Sequence, residues 1–139
     1  MTNQLAGLCE LYLFELNLQD DDLIGIVTRC PHIALLSIPD CKSLTDKSLI
    51  FAAQHLPLKM LDIGNTNFTD ESLQVISSHC AALDTFLFEG VETFSVNTIC
   101  NVVNKFTKLR SVGMGCDDIS AAPFVTIVAP TLNNITFFY

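Results

Sequence analysis

Positive charge is scarce in this chain. Lys and Arg together number 7, against 15 Asp and Glu, for a net charge of −8 at pH 7. Nucleic acids and anionic membrane surfaces are held by clustered Lys and Arg. The closest such grouping here is Lys105, Lys108 and Arg110, so neither nucleic acid nor a membrane is an expected partner. No stretch approaches the roughly 18 consecutive apolar residues of a membrane span. The opening residues Met1 to Leu5 carry neither the positive charge nor the apolar core of a secretory signal. The six cysteines, Cys9, Cys30, Cys41, Cys80, Cys100 and Cys116, form no C-x-x-C pair and no compact framework. They read as reduced thiols of a cytoplasmic or nuclear protein. No nucleophile elbow, Gly-rich phosphate loop or other catalytic motif occurs, so no enzymatic activity and no cofactor are expected. The acidic groups Asp20-Asp21-Asp22 and Asp117-Asp118 lack the ligand spacing of a calcium loop.

Apolar side chains are abundant. Half of the residues are hydrophobic, enough for a sizeable core in one domain spanning residues 1–139. Their arrangement is periodic. Six copies of one pattern read Leu8-x-x-Leu11-x-Leu13, Ile33-x-x-Leu36-x-Ile38, Leu58-x-x-Leu61-x-Ile63, Leu83-x-x-Phe86-x-Phe88, Leu109-x-x-Val112-x-Met114 and Leu132-x-x-Ile135-x-Phe137. Their starts, at residues 8, 33, 58, 83, 109 and 132, are separated by 25, 25, 25, 26 and 23 residues. A period of that length marks a solenoid, in which each repeat buries its apolar face against its neighbour.

The segment from Cys30 to Leu49 shows how one repeat is built. Leu36 and Ile38 alternate with other residues at the period of a strand, over about 35–38. Turn formers follow in Pro39-Asp40-Cys41-Lys42-Ser43, and Leu44 closes the loop against the core. Thr45 is placed to cap a helix, and Asp46 to sit at the positive end of its dipole. Asp20 and Asp70 hold the same place in their repeats, which gives them a capping and dipole role. Leu49, Ala52, Ala53 and Leu56 then recur at helical spacing. The same grammar predicts helices over about 20–30, 46–55, 70–80, 96–106 and 121–129. Strands that alternate with helices must run parallel. The predicted fold is therefore α/β, with about six short parallel strands on a concave side and helices on the convex side.

Counted from the repeat starts, Cys30, His55 and Cys80 share one position, which reads as a packing site. Zinc is not expected there. Equivalent positions on helices about 8–10 Å apart cannot all approach one ion within about 2.0–2.3 Å.

The run Cys30-x-x-Ile33-x-x-Leu36-x-Ile38-x-x-Cys41-x-x-Leu44-Thr45-Asp46-x-x-Leu49 resembles the cysteine-containing subclass of leucine-rich repeats. Cys80-x-x-Leu83-x-x-Phe86-x-Phe88 and Phe68-Thr69-Asp70-x-x-Leu73 fit the same template. The subclass is best known from F-box proteins, so the resemblance implies substrate recognition for a ubiquitin ligase. An F-box, the part that binds a Skp-type adaptor, is not visible in this sequence. Glu89-Gly90-Val91-Glu92 and Met114-Gly115-Cys116-Asp117 depart from the template, which predicts distorted turns.

Residues between the inward positions point to the open concave face, because side chains alternate along a strand. They form three columns. The first holds Glu10, Leu35, Met60, Thr85, Ser111 and Asn134; the second holds Tyr12, Ser37, Asp62, Leu87, Gly113 and Thr136; the third holds Phe14, Pro39, Gly64, Glu89, Gly115 and Phe138. Tyr12, Phe14, Leu35, Met60 and Leu87 are apolar where solvent is expected, which marks an interaction surface. Tyr12, Phe14, Leu35, Ser37, Met60, Asp62, Thr85, Leu87 and Glu89 are accordingly the candidate residues for a protein partner. The array opens at the tail of one repeat and closes on the strand of another, with no polar cap at either end. That suggests part of a longer array, and two alternatives to concave-face binding: an assembly factor docking by its ends, or self-association through them.

Overall fold

The structure is a computed structural model that describes residues 4–114. Among the described residues nine elements alternate: β1 (Glu10–Tyr12), α1 (Asp20–Arg29), β2 (Leu35–Ser37), α2 (Asp46–His55), β3 (Met60–Asp62), α3 (Asp70–His79), β4 (Thr85–Leu87), α4 (Val96–Val103) and β5 (Ser111–Gly113). The five strands form one parallel sheet in sequence order. Register is kept at every junction: Leu11, Leu36, Leu61, Phe86 and Val112 stand side by side. Successive helices pack on one another in the same order. This is the expected α/β solenoid. The strand expected near residue 132 and the helix expected over 121–129 lie outside the described residues.

The repeat pattern builds a continuous core between the two layers. Leu36, Leu61 and Val112 are fully enclosed, as are Ile33, Leu58 and Leu83 one half-turn earlier. Leu44 and Phe68 close the loops, and Leu49, Leu73 and Ile76 face inward from the helices. The fourth repeat substitutes Phe86, Phe88 and Phe94 where the second has Leu36, Ile38 and Leu44. Their rings pack at 4.9 Å (Phe86 to Phe88) and 5.8 Å (Phe88 to Phe94), both tilted as aromatic quadrupoles prefer.

The turn after each strand uses one backbone device. Glu15, Asp40, Asn65 and Gly90 all adopt positive φ, at 54°, 59°, 53° and 74°. The next residue points inward at the same repeat position, where Cys41, Thr66 and Val91 are buried. The Glu89–Glu92 turn is therefore regular and not distorted. Gly90 supplies the left-handed residue without a Cβ, and Val91 fills the place of Cys41. Beyond Met114, the other turn expected to be distorted lies outside the described residues.

Two further expectations are corrected. Cys30, Leu56 and Cys80 are the residues that cap the first three helices at their C-terminal ends, and all three are buried. His55 is not their equivalent: it ends α2 on the exposed side, and its Nδ1 pairs with the Phe51 carbonyl at 2.8 Å. The offset arises because the α1-to-α2 interval, Asp20 to Asp46, is two residues longer than the next, Asp46 to Asp70. Helix α4 also ends at Val103 and not at 106. Tight turns from Lys105 N–H to Val102 and from Phe106 N–H to Val103 swing the Phe106 ring into the core. Phe106 thereby takes the place that Cys30, Leu56 and Cys80 hold in earlier repeats. A site that accepts Cys, Leu and Phe is a packing site, and burial pushes the Cys80 thiol up to about 12.

Candidate functional site

The helix starts carry a polar arrangement that the sequence expectation captured only in part. Thr45 and Thr69 accept from the N–H groups of Lys47 and Glu71, and Ser95 from that of Thr98, as capping requires. The aspartates do more than face a dipole. Each reaches across to the cap of the following repeat. Asp20 accepts from the Thr45 N–H at 2.8 Å and from its hydroxyl at 2.5 Å. Asp46 accepts from the Thr69 N–H at 2.8 Å, from the Thr69 hydroxyl and from the Ser72 hydroxyl. Asp70 accepts from the Ser95 N–H at 2.8 Å, from its hydroxyl at 2.6 Å and from the Thr98 hydroxyl at 2.9 Å. Burial pushes the Asp20 carboxyl up, but hydrogen bonds from Ser48 and Thr45 and the charge of Lys47 outweigh it and hold the group below its ordinary range. Asp70 is held low in the same way, with bonds from Ser95 and Thr98 outweighing burial. The ladder stops at α4, where Val96 stands in the aspartate's place. Its sequence signal was the recurrence of Asp20, Asp46 and Asp70 at successive helix starts, the last two directly after a Thr cap.

On the concave side the strand register confirms the two inner columns. Glu10, Leu35, Met60, Thr85 and Ser111 are mutual neighbours, and so are Tyr12, Ser37, Asp62, Leu87 and Gly113. Adjacent members therefore lie about 4.8 Å apart. Of the column residues, Asn134, Thr136, Gly115 and Phe138 lie outside the described residues.

Exposure varies along the face. Tyr12 and Phe14 are 60% and 64% exposed, and Glu89 is exposed too. Leu35, Met60, Asp62, Thr85 and Leu87 are half-buried. Ser37 differs from expectation: it is buried, and its hydroxyl donates to Asp62 Oδ2 at 3.1 Å. Asp62 also accepts from the Gly64 N–H at 3.1 Å, so the middle of the second column is a closed polar cluster. Leu87 leans over Gly113, where a Cβ would meet Leu87 Cδ2 at 2.7 Å. The apolar anchors thus form an L. One arm runs along the first column through Leu35 and Met60, and the other rises through Tyr12 on β1 and Phe14 two residues beyond it.

The first repeat exposes more than its concave residues. Leu16 is 46% exposed, and Leu8, Leu11 and Leu13 are only half-buried, where Ile33, Leu36, Ile38 and Cys41 one repeat later are fully enclosed. The signal for Leu16 was its place one repeat before the buried Cys41.

Other chemistry is sparse. Among the described residues no three His, Cys, Asp or Glu side chains gather as a metal ion would require. No helix among them is long and apolar enough to cross a membrane. A groove of about 290 Å³ at the loop edge is lined by Lys42, Asn65, Thr66, Asn67, Gly90, Glu92 and Thr93. Its two charged groups have opposite sign, and no nucleophile–base pair lies in it.

No protein-family model matches the chain. Solved structures that share its fold include the two that follow. The tropomodulin C-terminal domain of Caenorhabditis elegans is 15% identical, with a TM-score of 0.66 over 87% of this chain and 81% of that one. Leiomodin-1 actin-binding site 2 is 13% identical, with a TM-score of 0.69 over 89% of this chain and 79% of that one. At such identities the likeness speaks to architecture alone, and the chain has a solenoid fold of the leucine-rich-repeat type.

Proposed function

We propose that this chain is a non-catalytic protein-interaction module that captures a protein ligand on the concave face of its sheet. The observation that carries the reading is the apolar L of Leu35, Met60, Tyr12 and Phe14, set where the fold turns side chains toward solvent. Aromatic and Met side chains in such a setting are the types enriched at interface centres. The exposed carboxylates on this face, Glu10 and Glu89, would orient the ligand. The implied compartment is cytoplasmic or nuclear.

The double variant Leu35→Asp with Met60→Asp tests the reading. It should fold with unchanged circular dichroism and lose capture of the ligand; undiminished capture by the folded variant would reject the face. The name of the leiomodin domain makes actin the first defined ligand to try, by co-sedimentation with filaments. The ubiquitin-ligase role implied by the cysteine-containing pattern gains no support from these structural neighbours. Docking by the solenoid ends is the second reading, favoured by the half-covered leucines of the first repeat.

A further inference from the structure

We infer that the edge of the solenoid where helices turn back into strands is a docking surface for an acidic stretch of polypeptide, with Lys59, Lys105, Lys108 and Arg110 as its contacts. The inference rests on the reading of the chain as a protein-binding module, and it names one chemical feature of the partner.

Topology sorts the charges. Parallel strands alternating with helices put every helix-to-strand connection on one edge of the array and every strand-to-helix connection on the other. Arg29, His55 and His79 end α1, α2 and α3, and Lys59, Lys105, Lys108 and Arg110 lie in the connections that follow α2 and α4. Among the described residues Asp84 is the only acid in a connection of this kind. The opposite edge carries Glu15, Asp40, Glu89 and Glu92 in its loops and the aspartate ladder at its helix starts.

Helix dipoles account for part of this pattern. Cations in a last turn complement the dipole, which serves for Arg29, His55 and His79. Lys59, Lys108 and Arg110 lie past the last turns, where that field has faded. All four proposed contacts are exposed. Lys47 is paired with Asp21, whereas among the described residues no carboxylate pairs with Lys59, Lys105, Lys108 or Arg110. Asp84 stands between two of them in the backbone ladder: Lys59 O accepts from the Asp84 N–H at 2.8 Å, and Asp84 O accepts from the Arg110 N–H at 2.8 Å. Its own carboxylate accepts from the Thr85 hydroxyl at 2.9 Å. One acid among four cations leaves this edge basic, in a chain whose net charge is −8.

Size and charge select the occupant. Lys59 and Arg110 immediately precede β3 and β5, so they stand two strand spacings, or about 10 Å, apart. An extended peptide covers that distance with three or four residues, at about 3.3 Å each. Asp or Glu side chains on such a stretch complement the four cations. A nucleic acid or an anionic bilayer would bring further negative charge against the acidic edge and be repelled; a short stretch stays on the basic strip. The strip also adjoins the concave face. Lys59 is next to Met60, whose strand neighbour is Leu35, so a protein held on those two residues reaches the strip without leaving the surface.

The test uses the full chain and two labelled synthetic peptides of about twelve residues, one alternating Glu with Gly and Ser and one with Gln replacing every Glu. A single-stranded oligonucleotide of the same length and phosphatidylserine vesicles serve as the other anions. The Glu peptide should bind at least about tenfold more tightly than the Gln peptide at low salt, with the gap narrowing as salt rises. Lys59→Glu with Arg110→Glu should remove that preference, and so should Lys105→Glu with Lys108→Glu, each pair folded by circular dichroism. Lys42→Glu, on the opposite edge, should leave it unchanged. Equal binding of the two peptides, no binding, or the same loss in Lys42→Glu would overturn the inference. Tighter binding of the oligonucleotide or the vesicles would overturn it too. Neither peptide carries an apolar side chain, so the outcome does not depend on the concave-face anchors, which the capture experiment with Leu35→Asp and Met60→Asp decides separately.

Discussion

The carboxylate of Asp46 accepts the backbone N–H of Thr69 at 2.8 Å, and Thr69 in turn caps the helix that follows. One side chain thus ties the start of α2 to the start of α3. Stability in a repeat array is a sum of unit and nearest-neighbour terms, and this bond is a neighbour term made of polar atoms outside the apolar core. Asp20 with Thr45, and Asp70 with Ser95, repeat it.

Replacing Asp46 by Ala removes all three of these bonds to Thr69 and Ser72 at once. The expected cost is about 1–3 kcal/mol, the range for hydrogen bonds to a charged group and for the donors left behind. Urea unfolding of the variant measures it. Thr69→Ala should cost less when made in the Asp46→Ala background than when made alone, because the two share the interaction.

Acid should weaken the ladder. Asp20 and Asp70 are held below the ordinary value of 3.8 in the folded chain. A depressed carboxyl contributes stability that is fully present above the unfolded value and lost as pH falls through the folded one. Unfolding free energy should therefore decline below about pH 4. In Asp20→Asn with Asp70→Asn, the decline should be shallower. Denaturant titrations between neutral and acid pH read both slopes.

Leu56 and His55 are adjacent and should behave oppositely. Leu56 is 5% exposed in the core, and Leu56→Ala should cost about 2–5 kcal/mol through the cavity it leaves. His55 lies on the outer side of α2, and His55→Ala should change stability by no more than about 0.5 kcal/mol. Thermal or urea unfolding of the two variants distinguishes their places directly.

The left-handed turns offer substitutions of either sign. Gly90→Ala should destabilise, because a Cβ there would sit 2.0 Å from Asn65 Oδ1 at a φ of +74°. Glu15 takes a φ of 54° with a full side chain. Glu15→Gly should stabilise by up to about 1 kcal/mol, the relief of left-handed strain less the added freedom of the unfolded chain. Midpoints of urea unfolding give both signs.

Much of this architecture was legible in the sequence because its signals are periodic. Leu36, Leu61, Phe86 and Val112 announce the strands by alternation, and the same alternation placed Leu35, Met60 and Tyr12 on the open face. Thr45, Thr69 and Ser95 announce the helices by capping chemistry. Quantities set by neighbouring repeats were harder to read. Ser37 is withdrawn by a bond to Asp62, 25 residues away. His55 and Leu56 exchange roles because the interval between helix starts varies from one repeat to the next. Asp46 serves the following helix as well as its own, which no pattern within a single repeat could reveal. The exposure of Leu16 likewise follows from what lies beside it and not from its own repeat.

Hydrogen–deuterium exchange on the chain in complex with its captured ligand tests the proposed function most directly. Exchange should slow across the strand segments bearing Tyr12, Phe14, Leu35 and Met60, with the outer surfaces of α1 to α3 unchanged. Protection confined to those helices, with the strand segments as exposed as in the free chain, would contradict binding by the concave face.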